Sequence, residues 1–213
     1  MKKIILIVTV LSGMFISCFG LQAQKSSSLV CTLQGGGYGF SDGPKYSYGA
    51  SLYGIKNIDV IGLGAGVGLE KVNSLRYSVT GLFNDGILGE DVIEYCDDII
   101  VPVFVRCQIN LPWWRMFLAS DVGYGFNVKA QPIKKQVTVY PIDDSECKTE
   151  GLFVEPAIGF YPLQRLYVSL GYRIRRSKYL SVTTNQQNDI VFILDDVKKV
   201  IAPSLNLQVG LCF

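Results

Sequence analysis

The sequence predicts an all-β chain: an eight-stranded antiparallel up-and-down barrel with its apolar side turned outward to a membrane. Three observations carry this expectation. Apolar and polar residues alternate with a period of two in segment after segment, as a strand with two unlike faces requires. The chain is 49% apolar with a mean hydropathy of +0.28, yet past the N-terminal run no stretch approaches the ~20 apolar residues of a membrane helix. The connections between alternating segments are short and long in turn, and the 12 Tyr, 11 Phe and 22 Gly favour strands over helices.

The first 23 residues stand apart. Met1-Lys2-Lys3, an apolar run from Ile4 to Leu21, and Gln22-Ala23-Gln24 are the charged, apolar and small-residue parts of a secretory signal peptide. The competing reading is an uncleaved anchor helix, which Gly13, Ser17 and Gly20 disfavour. Cleavage after Ala23 would leave residues 24–213 as a single barrel domain. Phe15-Ile16-Ser17-Cys18 loosely matches a lipoprotein box that would lipidate Cys18, with Phe15 a poor fit at its first position. Loss of Lys2 and Lys3 would take the formal charge from +2 to zero, so no global field steers the chain toward nucleic acid.

Two strands near residues 29–40 and 46–56 alternate least cleanly. The third is the clearest: Ile61, Leu63, Ala65, Val67 and Leu69 are apolar, and Gly62, Gly64, Gly66 and Gly68 lie between them. A face made only of glycine suits a narrow barrel, whose lumen must also hold large side chains from other strands. In the fourth, Val103, Val105, Cys107 and Ile109 alternate with Phe104, Arg106, Gln108 and Asn110. In the fifth, Leu118, Val122, Tyr124, Phe126 and Val128 alternate with Ala119, Asp121, Gly123, Gly125 and Asn127. Leu152, Val154, Ile158 and Phe160 mark the sixth, and Leu166, Val168, Leu170, Tyr172 and Ile174 the seventh. Leu205, Leu207, Val209, Leu211 and Phe213 mark the eighth. Each is close to the ~9–11 residues a tilted membrane strand needs.

Residues 56–59, 112–115 and 162–164 read as tight turns. Residues 70–98, 130–149 and 177–200 read as long polar loops, and 41–45 as a short one, with turn signals at 41–43 and 84–86. Short turns on one rim and long loops on the other are the pattern of outer-membrane barrels, and both termini then fall on the short-turn rim. The segment 73–89 is expected to be removable without unfolding the barrel, although residues 137–140 and 190–194 look like strand extensions above the membrane. Trp113, Trp114, Phe160, Tyr161 and Phe213 would form one aromatic belt, and Tyr46, Tyr48, Phe126 and Tyr179 the other.

The absence of histidine removes Ser-His, Cys-His and Asp-His catalytic sets and the usual zinc sites. The glycines of the third strand lack nucleotide-loop spacing. Inward parity puts Arg106, Asp121, Glu155 and Arg173 in one lumen, with Glu70 near its upper end. Paired carboxylates can do acid–base work, but two cations and two carboxylates in a narrow barrel are better read as mutual neutralisation. A lumen of this size is filled by side chains, so no diffusion pore is expected. Cys96 and Cys147, both in long loops, are candidates for a disulfide in an oxidising compartment. Cys31 and Cys107 should face lipid and Cys212 the lumen. Arg176 and Lys178, on the outward parity at the long-loop rim, are at the height of lipopolysaccharide phosphates. Asp97-Asp98 and Asp143-Asp144 are acidic pairs without the spacing of a calcium loop, so no metal or cofactor is expected.

The chain resembles the small outer-membrane β-barrels of the Bacteroidetes, PorT-like proteins within the wider class of OmpA- and OmpX-like eight-stranded barrels. The resemblance rests on Leu21-Gln22-Ala23-Gln24, on Ile100-Val101-Pro102-Val103-Phe104-Val105, on residues 166–172 and on the terminal residues 205–213. That last segment looks like a β-signal, read by the barrel-assembly machinery through Leu205, Leu207, Val209, Leu211 and Phe213. Cys212 departs from the polar or basic residue many such proteins carry there. The resemblance implies an outer-membrane location among lipid and lipopolysaccharide, with both termini periplasmic. It also implies no enzyme, because barrel enzymes of that membrane rely on histidine. Three roles follow: a surface barrel whose loops meet an envelope or host partner, an accessory of secretion or envelope assembly, or a soluble lipocalin-like carrier. The carrier would turn its apolar residues into the cup.

Overall fold

A computed structural model describes residues 27–37, 45–82, 92–111, 115–131, 148–187 and 190–213. Eight strands follow one another: β1 (Ser27–Gly37), β2 (Tyr46–Ile58), β3 (Ile61–Leu82), β4 (Val92–Leu111), β5 (Met116–Ala130), β6 (Gly151–Leu163), β7 (Leu166–Gln187) and β8 (Ile190–Cys212). Each pairs antiparallel with the next. β8 returns to β1 from Val30↔Cys212 to Gly37↔Leu205, so the sheet closes on itself. Backbone hydrogen bonds between Phe213 and Leu29, 2.8 and 3.2 Å long, complete that seam. Closure removes the free edges that an open sheet of this size would expose. Among the described residues no helix is long and apolar enough to cross a membrane, which leaves crossing by strands untouched.

The period of two puts unlike residues on the two faces of the wall. Leu63, Val105, Leu118, Val122, Leu152, Ile158, Leu170, Leu207 and Val209 are exposed on the outside. Thr32, Gln34, Arg106, Gln108, Asp121, Glu155, Arg173, Asn206 and Gln208 are buried inside. The glycines of β3 have the role their spacing suggests. A Cβ on Gly66 would lie 2.8 Å from Phe104 Cζ and 2.7 Å from the Leu52 carbonyl, and would strike Tyr53 Cβ. The bare face of β3 is therefore the space that Tyr53 and Phe104 fill. β2 and β3 are joined by a two-residue turn in which Asp59 takes φ +56°, a left-handed conformation that a short polar side chain tolerates.

The structure departs from the sequence expectation above the long-loop rim. Residues 70–98 are not mainly loop: β3 runs 22 residues and β4 runs 20. Residues 177–200 likewise belong mostly to the hairpin of β7 and β8, which agrees with the strand extension read at 190–194. A register shift between Leu75 and Tyr77 bends β3. Beyond that bend, residues 77–82 pair in parallel with residues 180–185 of β7. β3 and β7 stand on opposite sides of the barrel, so this pairing joins the two tall hairpins across the mouth in the order β4-β3-β7-β8. Residues 73–76 are part of this wall, with Ser74, Leu75 and Arg76 buried, so the segment 73–89 begins in strand and not in loop. Residues 1–23, read as a signal peptide, the turn signals at 41–43 and 84–86, Trp113, Trp114 and residues 137–140 lie outside the described residues.

Gly66→Ala should destabilise the barrel by about 1–3 kcal/mol through overpacking. Gly35→Ala, whose Cβ would meet nothing within 4 Å, should stay within about 0.5 kcal/mol of the wild type. Urea unfolding of both variants refolded in lipid or detergent measures the difference.

Candidate functional site

The most organised chemistry lies inside the barrel, in tiers along its axis. At the short-turn end is an open cavity of about 340 Å³, lined by Ser28, Asn57, Gln108, Asn110, Tyr161 and Cys212 among others. An amide ladder crosses its wall. Asn110 Nδ2 donates to Asn57 Oδ1 at 3.1 Å, and Gln108 Nε2 donates to Asn110 Oδ1 at 2.6 Å and to the Tyr161 hydroxyl at 3.0 Å. Tyr161 is thus an interior residue packed on Phe117 and Tyr167, not a member of the outer belt. Its neighbour Phe160 is the one exposed outside, because adjacent strand residues face opposite ways.

Above the cavity Arg106 meets Asp121 with two parallel bonds, Nε to Oδ1 at 2.6 Å and Nη2 to Oδ2 at 2.7 Å. The two residues are register partners on β4 and β5, so the sheet itself sets this fork geometry. The guanidinium also lies 4.4 Å over the Tyr53 ring and donates to the Tyr53 hydroxyl, which in turn donates to Tyr167 at 3.0 Å. Gln208 links this tier to the next. Its Oε1 accepts from Arg106 at 3.4 Å, and its Nε2 donates to Glu155 at 2.9 Å. Glu155 also accepts from Arg173 at 2.5 Å and from Asn206 at 3.3 Å. Arg173 then reaches across the lumen to Glu70 at 2.7 Å, and Arg175 reaches the same oxygen at 2.6 Å.

The four lumen residues expected from parity are therefore buried in one connected network, and Glu70 joins it. Sequence reasoning missed Arg175, Arg76 and Asp98. Arg175 continues the inward parity of Arg173, but the strand was ended at Ile174. Arg76 sits at the bend in β3 and pairs with Asp98, which also accepts from Ser74 at 3.3 Å and from the Thr149 amide at 3.0 Å. The pair Asp97-Asp98 is thereby split between faces; among the described residues no group of three or more His, Cys, Asp or Glu is placed to hold a metal ion. Asp143 and Asp144 lie outside the described residues.

Among the described residues the buried charges are Arg76, Arg106, Arg173 and Arg175 against Glu70, Asp98, Asp121 and Glu155, an equal number of each sign. Each of these carboxylates is held by a guanidinium, and Glu155 and Asp98 are fully enclosed. Such an array neutralises charge that a low-dielectric interior would otherwise penalise.

The outer face carries a different set. Tyr46 and Tyr48 stack with centroids 6.3 Å apart beside Lys71, which bonds Asp97 at 2.7 Å. Asn73 and Tyr46 also donate to Asp97. Partial burial works against ionisation of Asp97, but the donors Lys71, Asn73 and Tyr46 outweigh it and hold the carboxyl below the usual carboxylate range. Lys71 therefore stays neutralised. Arg176 and Lys178 lie on the outward parity of β7, opposite Ile201 and Lys199 of β8. Phe126 is exposed outside with Tyr46 and Tyr48, whereas Tyr179 has the inward parity of β7 and is half-buried. Cys31 and Cys107 are exposed on the outer wall and Cys212 is half-buried at the cavity. Cys96 is buried, and Cys147 lies outside the described residues. Leu205, Leu207, Val209, Leu211 and Phe213 are all exposed along the closing strand.

Removing one partner of the lower pair should be costly and removing both less so. Arg106→Leu or Asp121→Leu alone should destabilise by about 3–5 kcal/mol, by stranding a buried charge. The double variant should recover much of that loss. A double-mutant cycle on unfolding midpoints tests it, and additive losses would contradict the neutralising role. No protein-family model matches the chain, and no curated protein does, so its functional reading rests on this geometry.

Proposed function

We propose that this chain is a non-enzymatic outer-membrane β-barrel that presents its upper sheet and long connections to envelope or surface partners. The observation that carries the reading is the inversion of the two faces. Apolar side chains cover the outside of the wall over consecutive strands, and a charge-balanced polar network fills the inside. A contiguous apolar surface of this extent is unfavourable in water and favourable against lipid. A soluble carrier for an apolar ligand needs the reverse arrangement, so the lipocalin-like alternative is disfavoured. The N-terminal signal pattern and the alternating segment that ends in Phe213 support export and assembly into that membrane.

An enzymatic role finds no support, since the chain lacks histidine and its interior acids are engaged by arginines. Transport through the barrel is equally unsupported, because side chains fill the lumen and the parallel pairing of β3 with β7 crosses its mouth. Interaction is then left to the outer surfaces. On this reading the long-loop rim is extracellular and the 340 Å³ cavity opens to the periplasm. An accessory role in secretion or envelope assembly is a more specific version of the same reading.

Gel mobility of the protein from an outer-membrane fraction, with and without boiling, tests the membrane reading. A heat-dependent shift is expected; its absence, with the protein in a soluble fraction, would overturn the proposal. Leu207→Arg gives a second check. A cation near the middle of a lipid-facing strand should cost about 2–4 kcal/mol and reduce the assembled fraction, whereas in a soluble barrel an exposed arginine at this position would be nearly neutral.

A further inference from the structure

The outer wall carries one cluster of cations that the fold leaves unbalanced. β7 and β8 are in register from Leu166↔Leu211 upward, and that register sets Lys178 directly opposite Lys199 and Arg176 opposite Ile201. Cross-strand partners share a face, with Cβ atoms about 4.5–5.5 Å apart, and like charges in such a pair repel. Arg176 and Lys199 are exposed and Lys178 is half-buried. Among the described residues none of the three takes part in an ion pair. Glu150, just before β6, is occupied: Lys148 bonds it at 2.7 Å and the Tyr124 hydroxyl at 3.4 Å. Gly151 lies beside Arg176, with a Cβ built on it in van der Waals contact with Arg176 Cβ at 3.6 Å.

On the far side of the same long-loop rim, the outward cation Lys71 is neutralised by Asp97. Among the described residues these three cations have no ion-pair partner and two of them are directly opposed, an arrangement that an anion would stabilise. What lies beneath narrows the anion. Tyr172 and Ile174 lie below Arg176 on β7, and Ile201 and Leu205 lie below Lys199 on β8, an exposed apolar strip in which Ile201 is 65% exposed. The ligand that satisfies both parts is an amphiphile with a phosphate head and acyl chains.

We infer that Arg176, Lys178 and Lys199 form a binding site for the phosphate head of an outer-leaflet lipid, whose acyl chains lie along the Tyr172–Ile174–Ile201–Leu205 strip. The guanidinium supplies two parallel donors to a phosphate, and the two ammonium groups supply point charges on either side. This inference rests on the membrane reading above.

The test uses the full-length mature barrel in detergent, wild type against Arg176→Gln/Lys178→Gln/Lys199→Gln, with Lys71→Gln as control. Each preparation is first checked for its heat-dependent gel shift, which these exposed substitutions should leave intact. Binding is then titrated with bis-phosphorylated lipid A, with its dephosphorylated form and with inorganic phosphate. Three cations near a membrane surface are worth roughly 100-fold in affinity. The triple variant and the dephosphorylated lipid should each lose about that much, inorganic phosphate should bind far more weakly than the lipid, and Lys71→Gln should bind as the wild type does. A shifted, folded triple variant that binds lipid A like the wild type would overturn the site and leave the barrel reading standing. Equal binding of the dephosphorylated lipid would do the same, and inorganic phosphate binding as tightly as lipid A would overturn the lipid assignment. Absence of the heat shift in the wild type would overturn both readings together.

Discussion

The bond from Arg173 to Glu70 runs across the lumen and ties opposite walls of the barrel together. Arg173 belongs to β7 and Glu70 to β3, the two strands that meet again in parallel above the rim. Backbone hydrogen bonds hold each strand only to its immediate neighbours, so a closed sheet resists flattening through what fills it. Here the filling is charged, and the geometry has to be right twice. Arg173 must also keep Glu155, its partner on the adjacent strand β6. One guanidinium thus fixes β3, β6 and β7 relative to one another. Its guanidinium and that of Arg175 lie over the Phe153 ring at 5.0 and 5.7 Å, so cation–π contact and ion pairing position the same groups.

A charged interior imposes balance on everything near it. Neutrality is achieved tier by tier, Arg106 with Asp121 below and Arg76 with Asp98 above, around a middle tier of two arginines and two glutamates. Gln208 and Asn206, both on β8, supply the neutral links to Glu155. The lower half of the lumen is filled by rings instead. Tyr53, Phe104, Phe117, Phe153 and Tyr167 form a buried cluster whose bulk is admitted by small residues facing it, Gly66 toward Phe104 and Gly159 and Gly210 toward Phe117 and Tyr167. Large and small residues therefore alternate around the wall, which lets a narrow barrel reach interior packing density.

The wall was legible in the sequence wherever it faces two unlike media. Leu152 to Phe160 or Leu166 to Ile174 alternate because one side carries the apolar outer face and the other the polar lumen. Higher up that contrast disappears, since Lys71, Asn73, Arg176, Lys178 and Lys199 make the outer face polar as well. The hydrogen-bonded ladder continues, but the period of two no longer marks it, and residues 70–98 and 177–200 read as loops. The errors in the site follow from the same cause. Asp97 and Asp98 are an acidic pair in a loop but belong to opposite faces in a strand. Arg175 and Asp98 were passed over because their strands were ended too early. Arg76 is hidden further by the register shift beside it, which no local pattern announces. Tyr161 was assigned by its proximity to the turn, when parity alone would have turned it inward.

Two populations of charge result, and the fold treats them differently. Inside, each of the four arginines has a carboxylate within bonding distance, and the sum is zero. Outside, Lys71 is matched with Asp97, while the register of β7 against β8 places Lys178 against Lys199 with no acid between them. Desolvation explains the contrast. An unpaired charge in the lumen would be prohibitively unfavourable, so pairing there is obligatory. A charge on the outer rim is solvated whether paired or not, and its pairing is free to serve another end. Unpaired cations on the outside of such a wall therefore carry more information about ligands than any paired acid within it. The interior charges are accounted for by the barrel's own electrostatics; those of the rim are left free for the ligand proposed above.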